Sequence, residues 1–214
     1  MLKADFHIHT QYSLDCNTPL EDIIQRCLEL GINCIAIADH GTTEGALKLQ
    51  AMAPFTVIVA EEILTSYGEI MGMFLSDTIP GGLSPQETIS RIRAQDGLVN
   101  IPHPFDTFRQ SALNTKILEE IVDQIDSMEV FNSRVILPKY ITQAQMFAQK
   151  HGIANSAGSD AHTIGEIGNV CIEMPEFNGK DDFLTALEKG KIIGHRTSPL
   201  VHLGTAWAKL KKQL

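Results

Sequence analysis

Residues 18–39, TPLEDIIQRCLELGINCIAIAD, decide the fold class because they join an amphipathic helix directly to a buried strand. Thr18, Pro19 and Glu21 form a capping box with proline at the first helical position, which predicts where the helix starts. Gly31 predicts where the helix ends, and the uninterrupted apolar run after it is typical of a strand buried on both faces. The helix has one apolar stripe at helical spacing, formed by Leu20, Ile23, Ile24, Cys27 and Leu28.

The same unit of helix, glycine and strand recurs along the chain. SPQETISRIRAQDG at residues 84–97 leads into LVNIP, LPKYITQAQMFAQKHG at 137–152 leads into IANSAG, and DDFLTALEKG at 181–190 leads into KIIG. Residues 56–63 and 127–131 are predicted to be further strands, and GEIMGMFLS is predicted to form an additional hairpin strand.

Repeated helix–strand units with buried strands predict an α/β protein, either a barrel or an open doubly wound sheet. No G-x-G-x-x-G follows the first strand and the chain has no Walker loop, which disfavours a nucleotide-binding Rossmann domain. The 214 residues are few for eight full units, so we expect a compact barrel of about seven strands. We interpret residues 1–214 as one domain.

Composition limits the classes of partner and compartment. No secretory leader and no membrane-spanning stretch is predicted. The net charge of −9 disfavours a surface that coats nucleic acid. The cysteines are scattered without a C-x-x-C pair, which indicates reduced thiols and a cytoplasmic location; they are Cys16, Cys27, Cys34 and Cys171.

Polar residues with metal-binding or acid–base chemistry follow six successive predicted strands. The carboxyl ends of strands are where barrels and open α/β sheets build their active sites. Each residue alone could be a helix cap or a solvated side chain, but together they predict a metal site. In chain order they are His7 and His9, Asp39 and His40, Glu61 and Glu62, His103, then Glu129, Asn132 and Arg134, and finally Asp160 and His162.

These residues resemble the polymerase and histidinol phosphatase (PHP) family of metal-dependent phosphoesterases. The matching segments are HIHTQYSLD, IAIADHG, VAEEI, IPHPFD and AGSDAH, in the family's order within residues 5–162. The resemblance implies a distorted (β/α)7 barrel of the TIM-like PHP fold, with its active site at the carboxyl ends of the strands. It also implies two or three divalent metal ions.

The resemblance further implies a set of metal ligands in this sequence. The family's pattern selects Glu62, not Glu61, as the bridging glutamate, and strand alternation turns Glu61 to the opposite face. Asn132, a weaker and neutral ligand, stands where some relatives have histidine, so the second site is either not fully occupied or is completed by water and substrate. The implied ligands are His7, His9, Glu62 and Asp160 for the first metal, Glu62 and His103 for the second, and Asp15, His40 and His162 for the third.

The implied reaction is attack of a metal-bound hydroxide on phosphorus. A ligand set of imidazoles and carboxylates without cysteine suits Zn, Mn or Fe. Arginine matches two phosphate oxygens at once, so Arg109 and Arg134, just beyond two strand ends, are predicted to bind the substrate phosphate, with Asn132 beside them.

Three functions remain open at this stage. The first is hydrolysis of a small phosphomonoester, such as a nucleotide or a sugar phosphate. The second is an exonuclease that trims DNA or RNA ends, which would need a track of basic residues near the site. Apart from the candidate arginines, only KLKKQ near the C-terminus is basic. We interpret that segment as the solvent-exposed face of a helix that carries Trp207 and Leu210. The third is a non-catalytic, metal-bound scaffold. Oligomeric state is not predicted.

Three histidines fall outside this pattern. His151 precedes a helix-ending glycine, where an imidazole suits the negative end of the helix dipole. His195 and His202 follow the last predicted strand, and we expect them to lie on the surface or behind the metal ligands.

Overall fold

The computed structural model describes residues 1–198, whose elements alternate between strands and helices as the sequence predicts. Residues 199–214, which include His202 and the helix expected around Trp207 and Leu210, lie outside the described part. The strands are β1 (Leu2–Ile8), β2 (Cys34–Ile37), β3 (Thr56–Thr65), β4 (Gly68–Met73), β5 (Leu98–Ile101), β6 (Ser127–Asn132), β7 (Ala154–Gly158), β8 (Val170–Met174) and β9 (Lys191–Gly194). The helices are α1 (Leu20–Leu30), α2 (Glu44–Met52), α3 (Pro85–Ala94), α4 (Thr115–Glu120), α5 (Pro138–His151) and α6 (Lys180–Glu188).

The strands form one sheet in the order β7-β6-β5-β4-β3-β2-β1-β8-β9. The sheet curves so far that β1 meets the end of β7, where the backbone N–H of His9 donates to the carbonyl of Ala161 at 3.0 Å. Strands β1 to β7 therefore make a nearly closed, barrel-shaped ring of seven, which confirms the predicted fold class. Strand β8 pairs antiparallel with β1, strand β9 pairs antiparallel with β8, and both strands lie outside that ring.

Pairing is parallel from β1 to β3 and from β5 to β7, but β4 runs antiparallel to both of its neighbours. This β4 is the hairpin strand predicted from GEIMGMFLS. Its reversed direction has a consequence for the site, because the start of β4 lies at the same end of the barrel as the ends of the parallel strands. Strand β8 was not predicted, although its VCIEM sequence is mostly apolar.

Two of the predicted helix starts can be compared directly. Ser84 caps α3 as expected, since its hydroxyl accepts from the backbone N–H of Glu87 at 3.2 Å. The capping box predicted at Thr18 is wrong, because α1 begins at Leu20 with Pro19 as its cap and without a side-chain cap. The Thr18 hydroxyl instead donates to the carbonyl of His162, at 3.3 Å, so a tertiary contact replaces the local one.

The first strand does not alternate regularly. Its pairing with β2 shifts register between Asp5 and Ile8, which marks an irregularity in the ladder. A regular strand would place Phe6 and Ile8, which are two residues apart, on one face, but here they pack in different clusters. Ile8 packs in the cluster that contains α1 residues, whereas Phe6 packs edge-on against Phe183 of α6, with ring centroids 5.4 Å apart.

All four cysteines are buried and none forms a disulfide. Among residues 1–198, no helix combines the length and the apolar composition needed to cross a membrane. The sheet draws strands from the whole of this stretch. The interpretation of residues 1–214 as one domain stays a prediction.

Candidate metal centre

The eight residues implied as metal ligands converge at one end of the barrel. His7 and Glu62 project from β1 and β3, and the others lie on the loops that follow strands. Seven of the eight are buried, and the His40 side chain, 21% exposed, is the one that reaches solvent. The chain brings together His7, His9, Asp15, His40, Glu62, His103, Asp160 and His162.

Glu62 is the hub of this arrangement. Its Oε2 lies 3.2 Å from His7 Nε2 and 3.4 Å from His9 Nε2. Its Oε1 lies 2.7 Å from His103 Nε2, so the two carboxylate oxygens face different imidazoles. Burial alone would raise the pKa of Glu62, but His7 and His40 outweigh it and hold the pKa well below its usual range. Glu62 is therefore a buried carboxylate that stays charged.

A second carboxylate, Asp15, joins the loops after β1, β2 and β7. Its Oδ2 lies 3.2 Å from His162 Nε2 and 3.4 Å from His40 Nε2. Burial would raise the pKa of Asp15, but hydrogen bonds from these two imidazoles lower it below the usual range. His9, Asp15, His40 and His162 thus offer one ligand atom each within 4.8 Å of one another.

Asp160 connects the two groups. Its Oδ1 lies 3.4 Å from His9 Nε2 and 3.5 Å from His162 Nδ1, and its Oδ2 contacts the guanidinium of Arg109. Among the residues that the structure describes, Asp160 Oδ1 is buried without a hydrogen-bond partner, and so is Glu69 Oε2. Buried carboxylate oxygens in this state are suited to coordinate a cation.

Glu69, on β4, belongs to the same cluster and was missed by the sequence reasoning. Its Oε2 lies 3.5 Å from His103 Nε2 and its Oε1 lies 3.6 Å from His40 Nδ1. Together with His40 and Glu62 it forms a third group with metal-ligand spacing. Burial and then the charge of Glu62 raise the pKa of Glu69 to about 7. The available signal was a glutamate at the start of a predicted hairpin strand.

Glu129 lies behind the candidate ligands and contacts two of them. Its Oε1 accepts from His7 Nδ1 at 2.8 Å, and its Oε2 accepts from the backbone N–H of His103 at 2.8 Å. The Asn132 amide also donates to Oε2 at 2.9 Å. A carboxylate on the far nitrogen of an imidazole fixes the orientation of the ring. Glu129 was recognised as a strand-end carboxylate but was not assigned to the site.

The three residues predicted to bind substrate reach the cluster in different ways. The Asn132 amide donates to Glu129 and, at 3.2 Å, to Asp160 Oδ2. Arg134 is buried, pairs with Glu166 at 3.2 Å and contacts His162 Nδ1 at 2.6 Å. Arg109 contacts Asp160, and its side chain is 18% exposed, so it spans the distance between the cluster and solvent.

The backbone is strained at two of these positions. His103 has φ 29° and Asp160 has φ 55°, a region that residues other than glycine seldom adopt. Such strain persists only where the surrounding structure imposes it, and it concentrates at functional sites. Close packing adds a further constraint, since a Cβ at Gly158 would lie 2.7 Å from the backbone nitrogen of His7.

The adjacent residue Glu61 turns to the other face of β3. Its Oε2 accepts from the backbone N–H of Ile79 at 2.8 Å, away from the imidazoles. The alternation used to choose Glu62 over Glu61 is therefore present in the structure.

Of the remaining histidines, His151 is partly buried and stacks on Phe147 at a centroid distance of 4.5 Å. His195 is exposed.

Comparison with known proteins yields both sequence and structural relatives. Two uncharacterized proteins of Methanocaldococcus jannaschii are similar in sequence. MJ0417 is 34% identical, over 94% of this chain and 82% of its own length. MJ1587 is 38% identical, over 62% of this chain and 82% of its own length. A two-domain protein from Bacteroides vulgatus that contains a predicted PHP-like metal-dependent phosphoesterase has a TM-score of 0.71 at 16% identity. The match covers 91% of this chain but only 65% of that protein.

PsfC from Pseudomonas syringae matches over 98% of both chains, with a TM-score of 0.69 at 14% identity. At such identities the structural likeness concerns the fold. The family match is direct: residues 5–72 match the PHP domain and residues 140–192 match the PHP-associated region. The barrel, the cluster at its carboxyl end and these matches lead to one conclusion: the chain belongs to the PHP family.

Proposed function

We propose that this protein hydrolyses a small phosphomonoester, such as a nucleotide or a sugar phosphate, in a metal-dependent reaction. One observation carries the proposal: the imidazoles and carboxylates of six loops and strands form a continuous buried cluster around Glu62. The family match supports a metal-dependent phosphoesterase in general. The substrate class is our own step beyond it.

The donor set fits divalent cations. It combines imidazole nitrogens with carboxylate oxygens and contains no thiolate, which suits Zn, Mn or Fe. We assign His7, His9, Glu62 and Asp160 to one ion, and Asp15, His40 and His162 to another. For the remaining site we add Glu69 to Glu62 and His103, because its carboxylate lies within 3.5 Å of the His103 ring. Glu69 thus supplies a protein ligand at the site for which the sequence offered only the neutral Asn132, water or substrate.

Divalent ions bound here would supply an acidified water nucleophile and neutralise the charge on the phosphoryl oxygens. Residues around the candidate ligands fix the ligands' orientation. Glu129 orients the His7 ring and the backbone of His103. Asn132 holds Glu129 and Asp160 in place by donating to both, which supports a positioning role for its amide.

The two arginines have different surroundings and so receive different proposed roles. Arg109 reaches both Asp160 and solvent, and we propose that it binds the phosphate of the incoming substrate. Arg134 is buried between Glu166 and His162. We retain it as a phosphate-binding candidate, and its ion pair with Glu166 supports an additional role in fixing the His162 ring.

The burial of the cluster favours a small substrate. With one ligand side chain partly exposed, a polymer would have to present its end to a narrow opening. Both site arginines are paired with carboxylates, so neither provides a basic track along the surface. A protein with a net charge of −9 also repels long polyanions unless it carries a basic face.

Metal analysis combined with phosphate release tests the proposal. Gently purified protein should contain two or three metal ions per chain and release inorganic phosphate from members of a panel of nucleotides and sugar phosphates. His7→Ala and Asp160→Ala should each abolish activity and reduce the metal content. The control His151→Ala should change neither. Activity only on single-stranded DNA or RNA would replace the proposal by the exonuclease, and bound metal without turnover on any of them would replace it by the scaffold.

We also propose a cytoplasmic location. The four buried cysteines without a disulfide support it, because cysteines that do not form disulfides are typical of reducing compartments.

A further inference from the structure

The loop between β5 and α4, residues 102–114, carries an exposed aromatic ring next to a residue of the metal centre. The Phe108 side chain is 62% exposed, whereas Phe105 in the same loop is partly buried and packs against Phe147 of α5, with ring centroids 5.6 Å apart. Single exposed apolar residues are common, so exposure alone assigns no role to Phe108. The contacts of its two neighbours, Thr107 and Arg109, show where the ring lies.

Both arms of this loop are anchored to the barrel. On one side of Phe108, the Thr107 hydroxyl contacts the Tyr140 hydroxyl in the first turn of α5. On the other side, the carbonyl of Ser111 accepts from the backbone N–H of Glu69, on β4, at 2.8 Å. The structure therefore holds the segment that carries Phe108 in a defined position.

That position is at the end of the barrel that holds the metal centre. Helix α5 follows β6, so its first turn, which includes Tyr140, lies at the carboxyl end of that strand. The rings of Phe108 and Tyr140 meet edge to face, with centroids 6.4 Å apart. The next residue, Arg109, reaches inward and contacts Asp160. Two adjacent residues thus serve the proposed phosphate position and the solvent-exposed surface beside it.

This arrangement suits a ligand that combines a phosphate with a flat ring. A guanidinium pairs with phosphate oxygens, and an exposed aromatic face stacks on a planar ring. Because the Arg109 side chain extends from the loop to Asp160, the two groups lie about one side-chain length apart, which is the scale that separates the phosphate and the base of a nucleotide. A sugar phosphate has no planar ring to place on Phe108.

We propose that Phe108 determines substrate specificity by stacking on the base of a nucleoside monophosphate whose phosphate is bound at Arg109 and the metal centre. This inference rests on the proposed phosphoesterase function and deepens it, because it selects nucleotides from the two substrate classes named there. Every base has a π-face, so stacking of this kind tolerates different bases. Adenine and uracil nucleotides should therefore both bind more tightly than the same phosphate on ribose alone.

Uncleavable analogues test the proposal without turnover. The phosphonate analogues of AMP, UMP and ribose 5-phosphate carry CH₂ in place of the bridging oxygen, so they have no ester bond to hydrolyse. Calorimetric titration of each analogue into the protein loaded with Zn²⁺ or Mn²⁺ gives its Kd. We expect both nucleotide analogues to bind roughly tenfold more tightly than the ribose analogue. Phe108→Ala should remove this difference by weakening the nucleotide analogues alone.

Two further variants separate stacking from other effects. Phe108→Tyr keeps an aromatic ring and should keep the preference for the nucleotide analogues. Met146→Ala is the matched control for truncation, since Met146 is 66% exposed on α5, and it should leave all three Kd values unchanged. Circular dichroism of each variant shows whether the barrel has folded. Where phosphate release is found, Phe108→Ala should raise KM for AMP roughly tenfold and leave KM for ribose 5-phosphate unchanged.

Three results would overturn the proposal: equal affinity of the wild type for the nucleotide and ribose analogues, a preference that persists in Phe108→Ala, or no binding of any analogue. Release of phosphate from sugar phosphates alongside any of these results would leave the phosphoesterase itself standing. The converse result is a preference that depends on Phe108 in a protein that releases phosphate from no substrate. It would refute the proposed activity and keep the role of Phe108 in nucleotide binding.

Discussion

Glu61 and Glu62 are neighbours on β3, yet the two faces of that strand give their carboxylates opposite chemistry. Glu62 points toward four imidazoles, and the nearby His7 and His40 hold its pKa well below the usual range despite burial. Glu61 points the other way, where burial raises its pKa to about 7 and one backbone N–H is its hydrogen-bond donor. The comparison teaches that burial decides neither charge nor function; the groups that face a carboxylate decide both.

The comparison is tested most strongly by the paired variants Glu62→Gln and Glu61→Gln. Glu62→Gln should lower kcat/KM by on the order of 10³-fold or more, above the 10–100-fold typical of partners that only orient a ligand. It should also reduce the metal content measured by elemental analysis. Glu61→Gln should retain both. A larger loss with Glu61→Gln would mean that the wrong face of β3 has been assigned to the site.

Glu69→Gln tests whether the inner face of the antiparallel strand contributes to the same site. An amide keeps the size of the side chain but removes the charge, so we expect the affinity for one of the bound ions to fall about 100-fold. Calorimetric titration of the metal-stripped protein with Zn²⁺ or Mn²⁺ measures the effect. Glu173→Gln on β8 is the matched control, because that glutamate is exposed on a strand. Identical titrations of the two variants would remove Glu69 from the ligand set.

Glu129→Gln tests how strongly metal binding depends on a carboxylate that contacts two candidate ligands, His7 and His103, without being a ligand itself. The amide cannot accept from His7 and at the same time provide a second charged oxygen for His103 and Asn132. We expect a loss of about 10–100-fold in metal affinity, with the fold unchanged by circular dichroism. Restoration by Glu129→Asp at raised metal concentration would support positioning by charge. Unchanged affinity in Glu129→Gln would show that the contact at 2.8 Å to His7 is dispensable.

The smallest expected effect concerns the stability contribution of Glu61. Its pKa is raised from 4.5 to about 7 in the folded protein, so the folded state binds more protons than the unfolded state in this range. Its contribution to stability is therefore full below about pH 4.5 and is lost as the pH rises through 7. Glu61→Gln cannot ionise and should lack this loss, which makes it more stable than wild type above pH 7 by up to roughly 3 kcal/mol.

Urea unfolding of the metal-stripped wild type and Glu61→Gln, at pH values from 4.5 to 8, measures this difference. Removing metal from both proteins prevents ion binding from contributing to the pH dependence. The two free energies of unfolding should be similar at the acidic end and should separate as the pH rises. Parallel curves would show that Glu61 titrates normally.

Several elements follow from the sequence because their causes are local. Gly31 ends α1 in the left-handed region at φ 66°, and Ser84 caps α3, both as predicted. The hairpin strand β4 and the buried parallel strands were also predicted, since their apolar patterns reflect burial of single segments. The convergence of polar residues follows from a topological rule, which states that parallel strands deliver their ends to one face.

The misses have tertiary causes. Thr18 matches the capping-box pattern, but its hydroxyl bonds to His162, which is distant in sequence. Regular strand alternation would put Phe6 and Ile8 on one face, but the pairing of β1 and β2 shifts between Asp5 and Ile8, and the two side chains pack in different clusters. Glu69 was overlooked because the rule about strand ends applies to parallel strands, and β4 runs antiparallel, so that its beginning reaches the site.

The order of helices and strands, and the imidazoles and carboxylates at the strand ends, can be read from the sequence because periodicity, capping residues and ligand chemistry are properties of short segments. Which of these groups face one another depends on the three-dimensional packing. It added Glu69 and Glu129 to the cluster and turned Glu61 away from it, because strand direction and the curvature of the sheet are set by contacts between segments far apart in the chain.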